Sequence, residues 1–349
     1  MMNTNISETV EFRKKIISES LFNPGSMKEV VVLLTPVCNL NCSYCYENDQ
    51  WKKKKTEVNL PKILEVLDMY MPETIVFLGG NSFSNEKELK TICDRYPSSK
   101  IRMYVDARWL DKLKPYVQRY DTIVDISIDP AWETRFESKD EWNRAIDNIT
   151  PFVIDNLDKV TLNLVLTKYG YDWNMFRDRI HNDVRIYAKA VCLEENANLE
   201  PLESEWPAIR ELIVGDYDRK VAGLSAISQI DRYLTRINTK HNFRCSCGVN
   251  RVTVDWRGDL SFCDGIPLST RWNDKFKDKE IIIETLSNYA EKCVTCEYVQ
   301  ECGGACVLLD PPNKFYCFYI STIIDVGKKY LEALPDRREI YLAAAGGRL

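Results

Sequence analysis

The chain has 349 residues, a formal net charge of −5, 45% hydrophobic residues and 28% charged residues. This length and composition predict a globular protein with one large domain and a smaller one. The net charge argues against nucleic-acid binding, which needs a basic excess on at least one domain. No apolar run approaches membrane-spanning length, and the N-terminus lacks the apolar core of a secretion signal. We therefore expect a cytoplasmic protein that binds neither nucleic acid nor membrane.

Residues 28–194 alternate strand-like and helix-like segments. Apolar and β-branched runs predict strands near 29–35, 74–78, 100–105, 122–128, 160–167 and 184–193. Helical stretches are predicted between them at 61–70, 85–96, 107–118, 140–155 and 172–181. Six β-α repeats predict a parallel sheet with helices outside it, which right-handed crossovers curl into a full or partial barrel.

Two of the predicted strands alternate polar with apolar residues. Asp125, Ser127 and Asp129 share one face of the fourth strand, and Asn163 and Thr167 share one face of the fifth. Strands of a parallel sheet are usually continuously apolar. The polar faces therefore predict an interior cavity that holds a polar ligand.

The rest of the chain is less regular. Residues 195–240 are acidic and then helical, with an apolar stripe over 219–237 that we interpret as core. A last helix is predicted at 318–334. The predicted domains are an N-terminal extension (1–27), the barrel (28–194), a helical bridge (195–240), a cysteine-rich domain (241–320), and a C-terminal helix and tail (321–349).

The 13 cysteines are numerous for a reducing compartment, where clustered cysteines are metal ligands more often than disulfides. Cys38, Cys42 and Cys45 follow the first strand with the spacing C-x3-C-x2-C. Soft thiolates select iron–sulfur clusters, zinc or copper(I). Structural zinc would need a fourth nearby ligand, and the chain contains only two histidines, His181 and His241. Three thiolates without a fourth indicate a [4Fe–4S] cluster with one open iron.

This motif after a first strand resembles the radical S-adenosylmethionine (SAM) enzymes. The resemblance implies that the open iron chelates the amino and carboxylate groups of SAM. It also implies that an electron from the cluster cleaves SAM to a 5′-deoxyadenosyl radical, which abstracts a hydrogen atom from substrate. The fold expected from the resemblance is a partial (β/α)6 barrel of the radical SAM type, in the α/β class.

Eight more cysteines lie between residues 245 and 317. Without histidines they are enough for two four-coordinate sites, and two zinc sites with four thiolates each are one interpretation. The spacing also resembles the SPASM domain, which carries two auxiliary [4Fe–4S] clusters in radical SAM enzymes that modify peptides and proteins. The pattern is Cys245-x-Cys247, Gly258-x4-Cys263, Cys293-x2-Cys296-x5-Cys302-x3-Cys306 and a final Cys317.

The SPASM resemblance implies a ligand set for each of two auxiliary clusters. Together with the cluster on the first cysteine loop, this makes three [4Fe–4S] clusters. If only one of Cys245 and Cys247 binds, the proximal cluster keeps an open iron that substrate can occupy. The implied distal ligands are Cys293, Cys296, Cys302 and Cys317, and the implied proximal ligands are Cys245, Cys247, Cys263 and Cys306.

The radical SAM resemblance also implies residues that bind SAM. The family's Gly-Gly-Glu after the second strand is Gly79-Gly80-Asn81 here. The neutral amide loses a charge-assisted bond to the SAM ammonium, so we expect weaker binding or compensation by Asp125 or Asp129. The other expected SAM contacts are Ser127 and Asp129 at the carboxylate or ribose, Asn163 and Thr167 at the ribose, Arg144 or Arg135 at the carboxylate, and Tyr44 near the adenine.

Two residues are candidates for catalysis. Asp264 follows Cys263, where sulfatase-maturing members of the family have an aspartate base, although a turn residue before Gly265 fits the sequence too. Cys192 is a candidate hydrogen-atom donor to a substrate radical, or a small buried hydrophobic residue.

Two further features have simpler interpretations. Cys93 lies on a predicted helix and is expected to be inert core. The lysine run at 52–55 is either a solvated face or a docking site for an acidic leader peptide.

The expected function is post-translational modification of a peptide by radical SAM chemistry, as in ribosomal peptide maturases. The product is expected to carry a crosslink, an oxidation, an epimerisation or a backbone excision. Alternatives are a sulfatase-maturing-type oxidase, a small-molecule dehydrogenase and a zinc-stapled scaffold without chemistry. The short N-terminal extension implies either a separate leader-recognition protein or binding that is independent of a leader, given the size that an independent domain needs. A flavodoxin or ferredoxin-type protein is the expected electron donor.

Overall fold

The computed structural model describes residues 6–38, 40–45, 56–190, 198–236, 247–265, 278–289, 291–303 and 313–333. The chain divides into two compact units. The sheet unit comprises residues 10–127 and 245–288, and the helical unit comprises residues 1–9, 128–244 and 289–349.

The described residues form eight strands, and six of them belong to the predicted β-α repeats. The strands are β1 (Glu29–Leu33), β2 (Thr74–Leu78), β3 (Lys100–Asp106), β4 (Thr122–Ser127), β5 (Val160–Leu166), β6 (Arg185–Ala190), β7 (Arg251–Val254) and β8 (Leu260–Ser261).

The helices of the described residues lie between and after the strands. None of them is both long and apolar enough to cross a membrane. They are α1 (Ile6–Ser20), α2 (Leu60–Tyr70), α3 (Glu86–Arg95), α4 (Leu110–Arg119), α5 (Lys139–Asp155), α6 (Asn174–Arg179), α7 (Trp206–Val221), α8 (Ser228–Arg236), α9 (Lys279–Ser287), α10 (Glu291–Val294), α11 (Val299–Cys302) and α12 (Lys314–Ala333).

The sheet unit contains six strands in the order β4-β3-β2-β1-β7-β8. All neighbours are parallel except β7 and β8, which form an antiparallel hairpin. Strand β1 is central, and Val30, Val31, Val32 and Leu33 are fully buried, as its continuously apolar sequence predicts. The parallel β-α repeats confirm the predicted α/β class.

Helix ends follow their local sequence. The Asn59 side chain accepts a hydrogen bond from the Lys62 N–H at the start of α2, and the Ser138 side chain accepts one from the Glu141 N–H at the start of α5. These side chains satisfy N–H groups that have no partner within the helix. These caps fix where α2 and α5 begin, and each of these two helices then returns the chain to the next strand.

The helical unit joins β5 and β6, which are parallel, to α7, α8 and α12. These helices donate hydrogen bonds to main-chain carbonyl oxygens of β6. The Ile186 oxygen accepts one from the Ser228 hydroxyl (3.1 Å), and the Ala188 oxygen accepts one from the Tyr319 hydroxyl (3.0 Å). Helices therefore cover backbone groups at the edge of β6.

A buried ion pair connects α6 and α7 with the start of α8. The Asp216 carboxylate accepts hydrogen bonds from the Arg177 guanidinium (2.5 Å), the Trp173 indole N–H (2.5 Å) and the Ile227 N–H (3.0 Å). Both charged side chains are buried. The pair therefore holds three helices in one arrangement.

The continuous helical stripe predicted over 219–237 is wrong. The structure has two helices there, α7 and α8, and Gly223 lies between them with φ of +79°. A left-handed glycine after a helix end satisfies the last carbonyl groups and stops the helix. The apolar periodicity continued across this break and concealed it.

Candidate metal and cofactor sites

The first cysteine loop follows the carboxyl end of β1. Cys38, Cys42 and Cys45 are all half-buried. The Cys45 N–H donates to the Cys42 carbonyl oxygen (3.2 Å), so a tight turn closes this part of the loop. Three thiols on a short loop at the edge of the central strand form a ligand set that suits an iron–sulfur cluster.

The residues after β2 hold this loop through their backbone. The Gly80 N–H donates to the Thr35 carbonyl oxygen (3.0 Å), and the Asn81 N–H donates to the Val37 carbonyl oxygen (2.8 Å). A Cβ atom at Gly80 would lie 2.2 Å from the Val37 carbonyl oxygen. Only glycine allows this approach at position 80.

The side chain of Asn81 also has a local role. It is 9% exposed, and its Oδ1 accepts a hydrogen bond from the Phe83 N–H (3.2 Å). Gly79 has φ of +109°, which favours glycine there. The contact of Gly79-Gly80-Asn81 with SAM stays a prediction, and the structure adds that this segment shapes the cysteine loop.

The two acids expected to compensate for Asn81 are already paired with protein groups. The Asp129 carboxylate accepts hydrogen bonds from the Val165 N–H (2.9 Å), the Thr134 hydroxyl (3.0 Å) and the Arg135 guanidinium (3.3 Å). In the sheet unit, Asp125 is 1% exposed and accepts two bonds from Arg102 (2.7 and 3.1 Å). These pairings favour weaker SAM binding over compensation by Asp125 or Asp129.

Asn163 on β5 has an unsatisfied acceptor. It is 7% exposed, and its Oδ1 has no hydrogen-bond donor within the part of the chain that the structure describes. A buried polar atom without a partner costs about 1–3 kcal/mol, which a ligand hydroxyl would offset. Thr167 is buried too, and its hydroxyl accepts from the Tyr169 N–H (3.3 Å). The environment of Asn163 fits the predicted contact with a ribose.

The remaining predicted SAM contacts differ in placement. Arg144 is exposed on α5, where the neighbouring Trp142, Ala145 and Ile146 are buried, whereas Arg135 is nearly buried beside Asp129. Ser127 ends β4 and is half-buried, and Tyr44 lies in the turn of the cysteine loop. Of the two arginines, the structure leaves Arg144 on the solvent side of its helix.

The proximal site is formed around the β7–β8 hairpin of the sheet unit. One ligand atom from each of Cys247, Cys263 and Asp264 lies within 4.8 Å of the others. The Cys263 thiol is 4.0 Å from the Asp264 carboxylate. The chain turns back through the hairpin and so brings Cys263 to Cys247, 16 positions earlier in the sequence. This donor set fits a metal-binding site.

A half-buried arginine that sequence reasoning missed, Arg251, lies near the proximal thiols. Burial lowers the pKa of the Arg251 guanidinium, but the negative charges of Glu29, Cys247 and Asp264 outweigh this effect and raise the pKa. The group is therefore cationic, and its charge stabilises thiolate and carboxylate ligands. The only sequence signal was an arginine four residues after Cys247.

The distal cysteines share one cavity in the helical unit. Its volume is about 400 Å³. Cys293 and Cys296 come from the α10 region, Cys302 ends α11, and Cys317 lies in the first turn of α12. All four line the cavity, as the predicted distal ligand set requires. Four thiols around one cavity fit a fully protein-coordinated cluster.

Aromatic residues form another wall of this cavity, and the sequence did not indicate them. Trp206 and Phe318 both line it, and their rings stack with centroids 4.5 Å apart. Tyr316 and Tyr298 line it too. Apolar walls limit the access of water, which influences the reduction potential of an iron–sulfur cluster.

Cys93 is placed in the core, as expected. Cys93 on α3 is fully buried, and burial raises the pKa of its thiol to about 12. The residues outside the described ranges are Cys192, Cys245, Cys306 and the lysine run at 52–55.

Comparisons with known proteins agree with this arrangement. The sequence pattern of a 4Fe-4S single cluster domain matches residues 25–147, which include the first cysteine loop. The chain is 20% identical to the radical SAM cyclopropyl synthase TigE of Paramaledivibacter caminithermalis, over 80% of this chain and 68% of the relative.

Two solved structures have a similar fold. The first is anSMEcpe with bound AdoMet, at 16% identity and a TM-score of 0.63, covering 88% of this chain and 99% of that one. The second is Streptococcus suis SuiB bound to the precursor peptide SuiA, at 16% identity and a TM-score of 0.56, covering 88% and 78%. The predicted α/β fold class with a parallel sheet is confirmed, since both structures share the fold, and the SPASM domain stays a prediction. The chain thus contains a region that matches a 4Fe-4S single cluster domain, and it shares the fold of two proteins solved with AdoMet or with a precursor peptide.

Proposed function

We propose that the chain modifies a peptide substrate by hydrogen-atom abstraction. In this proposal Cys38, Cys42 and Cys45 hold the [4Fe–4S] cluster that binds SAM. The bound cluster and SAM supply the reductive cleavage that yields a 5′-deoxyadenosyl radical. The observation that carries the proposal is the set of three half-buried thiols on one loop after β1, fixed by backbone hydrogen bonds from Gly80 and Asn81.

The other residues of this chain orient SAM and exclude water. The unsatisfied Oδ1 of Asn163 accepts a hydrogen bond from a ribose hydroxyl, which removes the cost of its burial. Asn81 contributes no charge to the SAM ammonium, so SAM binds more weakly than it would with a carboxylate there. Replacement of Asn163 by alanine is therefore expected to weaken SAM binding without loss of iron.

The later cysteines are proposed to hold two auxiliary clusters. Support comes from the cavity that all four distal cysteines line and from the close approach of Cys247, Cys263 and Asp264. Asp264 is proposed as the base that would take a proton when the substrate radical gives its electron to an auxiliary cluster, because the Asp264 carboxylate lies beside Cys263. In this proposal the protein binds about twelve irons, as three [4Fe–4S] clusters require.

Two solved structures of similar fold support a peptide as the substrate. SuiB is solved with the precursor peptide SuiA, and anSMEcpe is solved with AdoMet and the Cp18Cys peptide, at a TM-score of 0.58. TigE is named a cyclopropyl synthase. A leader-recognition protein and a flavodoxin or ferredoxin-type electron donor complete the proposal as separate partners.

A sulfatase-maturing-type side-chain oxidase is the second candidate. The observation that favours it is the position of Asp264 directly after Cys263, next to the proximal thiols. The two candidates differ in product, since the oxidase yields an aldehyde from a cysteine or serine side chain. A modified peptide product without an aldehyde group would decide against the oxidase.

Anaerobic reconstitution tests the proposal. The protein is loaded with iron and sulfide, and 5′-deoxyadenosine is measured after addition of SAM and a strong reductant. We expect about twelve irons per chain and formation of 5′-deoxyadenosine. A protein that binds about two zinc ions and no iron would instead be the zinc-stapled scaffold.

A further inference from the structure

The helical unit contains a second cavity, away from the distal cysteines. Its volume is about 570 Å³, within the range of small-molecule sites. Three parts of the chain line it, namely Pro130, a segment after β5 and a segment on α7. The lining residues include Tyr171, Asp172, Met175, Ala208, Glu211 and Leu212.

The cavity lies where ligands of α/β proteins bind. Strand β5 ends at Leu166, and one lining segment begins at Gly170, just beyond its carboxyl end, while Pro130 follows the end of β4. Ligands of parallel α/β sheets bind outside the carboxyl ends of the strands. A Cβ atom at Gly170 would lie 2.8 Å from the Ala131 Cβ, so glycine is required for the two loops to pack there. The packing of these loops places the cavity at the ligand-binding end of β5.

The charge of this cavity is negative. Asp172 and Glu211 are both exposed on its lining, and no lysine or arginine nitrogen of the described residues lies within 4.0 Å of either carboxylate. One Asp172 carboxylate oxygen accepts a hydrogen bond from the Asn174 N–H (2.9 Å). Burial and then the negative charges of Glu205 and Asp172 raise the pKa of Tyr171. Two carboxylates, Asp172 and Glu211, therefore line the cavity, and Asp172 also acts on Tyr171.

The other walls are apolar. Met175, Leu212 and Ala208 offer methyl and methylene groups, and Tyr171 offers an aromatic ring. Lysine and arginine have the matching chemistry, because they pack an apolar stem against such walls and keep a charged head at the rim. The face of a tyrosine ring attracts the same cations.

We infer that this cavity binds a lysine or arginine side chain of the peptide substrate, with Asp172 and Glu211 as the anionic partners of the cation. The inference rests on the proposed function in one respect, namely that the substrate is a peptide. It adds to that function a requirement for a basic residue near the modified one.

The methyl group of Met175 reports occupancy of the cavity directly. The full chain, reconstituted and oxidised, is labelled with [methyl-¹³C]methionine, which gives seven methionine signals, and Met175→Leu assigns one of them. The probe is the peptide acetyl-Gly-Gly-Lys-Gly-Gly-amide, compared with versions that contain arginine or norleucine. We expect the lysine and arginine peptides to shift the Met175 signal and the norleucine peptide to bind at least fivefold more weakly.

Charge variants test the anionic partners. Glu211→Gln and Asp172→Asn are each expected to weaken binding of the lysine peptide about threefold, as partly exposed ion pairs do, and about tenfold together. Asp218→Asn removes an exposed carboxylate from the same helix, outside the cavity lining, and is expected to leave binding unchanged. Higher salt is expected to weaken binding of the basic peptides only.

Each outcome decides for or against the inference. Equal binding of the norleucine and lysine peptides, an unmoved Met175 signal, or full binding by the double variant would overturn it. Formation of 5′-deoxyadenosine without peptide is measured on the same samples. Its absence would overturn the proposed function alone, because peptide binding to the cavity needs neither SAM nor reductant.

Discussion

The first cysteine loop and the distal cavity present the same ligand type in two different ways. The loop has three thiols, and backbone hydrogen bonds from Gly80 and Asn81 fix it. The cavity has four thiols from two short helical segments and α12, and side chains such as Trp206 and Phe318 pack around it. Three thiolates leave one iron of a [4Fe–4S] cluster for an external ligand, whereas four satisfy it.

Because of this difference, we expect the two sites to have different roles, SAM binding at the loop and electron transfer at the cavity. A site that must accept SAM needs a ligand set with a gap and a loop close to the ends of the strands. A site that only transfers electrons needs full coordination and an apolar surrounding that limits water. The predictions below test whether the two cysteine sets differ in this way.

The largest expected effect comes from the distal cysteines. Cys296→Ser with Cys302→Ser removes two of four ligands, so we expect the protein to lose about four of its irons. Reductive cleavage of SAM should persist, because the first loop is unchanged, while peptide modification should fall to background. Iron analysis and the yield of 5′-deoxyadenosine measure both effects. Loss of SAM cleavage in this variant would contradict separate roles for the two sites.

A glycine substitution tests the loop without removing a thiol. Gly80→Ala places a Cβ atom 2.2 Å from the Val37 carbonyl oxygen, so the cysteine loop must move. We expect iron at the first site to fall by more than half, with the distal cluster retained. Gly215→Ala is the matched control, since a Cβ atom there meets nothing within 4 Å. Similar iron content in both variants would show that backbone contact does not hold the loop.

The buried ion pair supports the helical unit that carries the distal cavity. Asp216→Ala leaves the Arg177 charge buried without its partner, and we expect a loss of about 3–5 kcal/mol in unfolding free energy. Urea unfolding of the metal-free protein, followed by tryptophan fluorescence, measures it. Asp218→Ala on the exposed side of α7 should change stability by less than about 0.5 kcal/mol. A small loss for Asp216→Ala would mean that the helices do not depend on the pair.

Cys93 gives the smallest effect, because it belongs to neither site. Burial raises the pKa of its thiol from the ordinary 9.0 to about 12, so the native protein should not alkylate there at pH 8. As pH rises above about 9, the unfolded state loses this proton first, so the thiol's contribution to stability declines from there towards pH 12. Mass spectrometry after iodoacetamide treatment of iron-free protein should find the cluster cysteines modified and Cys93 intact. Modification of Cys93 at a similar rate would contradict its burial.

The sequence predicted the parts of the fold that have a strong periodic signal. The six repeat strands lie where apolar and β-branched runs predicted them, and β1 is continuously apolar, as buried parallel strands usually are. The break at Gly223 was missed, since helical periodicity continued on both sides of it. The predicted domain boundaries stay predictions.

The candidate sites were predictable where spacing carries the information. The four distal cysteines were assigned from their spacing, and they line one cavity. Their neighbours Trp206 and Phe318, and Arg251 near the proximal thiols, were not predictable, because their approach depends on tertiary packing. The hydrogen bond between Arg135 and Asp129 likewise could not be predicted from the faces of the strands.

The most direct test of the account is the replacement of Cys38, Cys42 and Cys45 together by alanine, with Cys93→Ala as the matched control. Both proteins are reconstituted anaerobically and given SAM and reductant. We predict that the control forms 5′-deoxyadenosine and that the triple variant forms none, while it retains about eight irons from two auxiliary clusters. Formation of 5′-deoxyadenosine by the triple variant at the control rate would contradict the account.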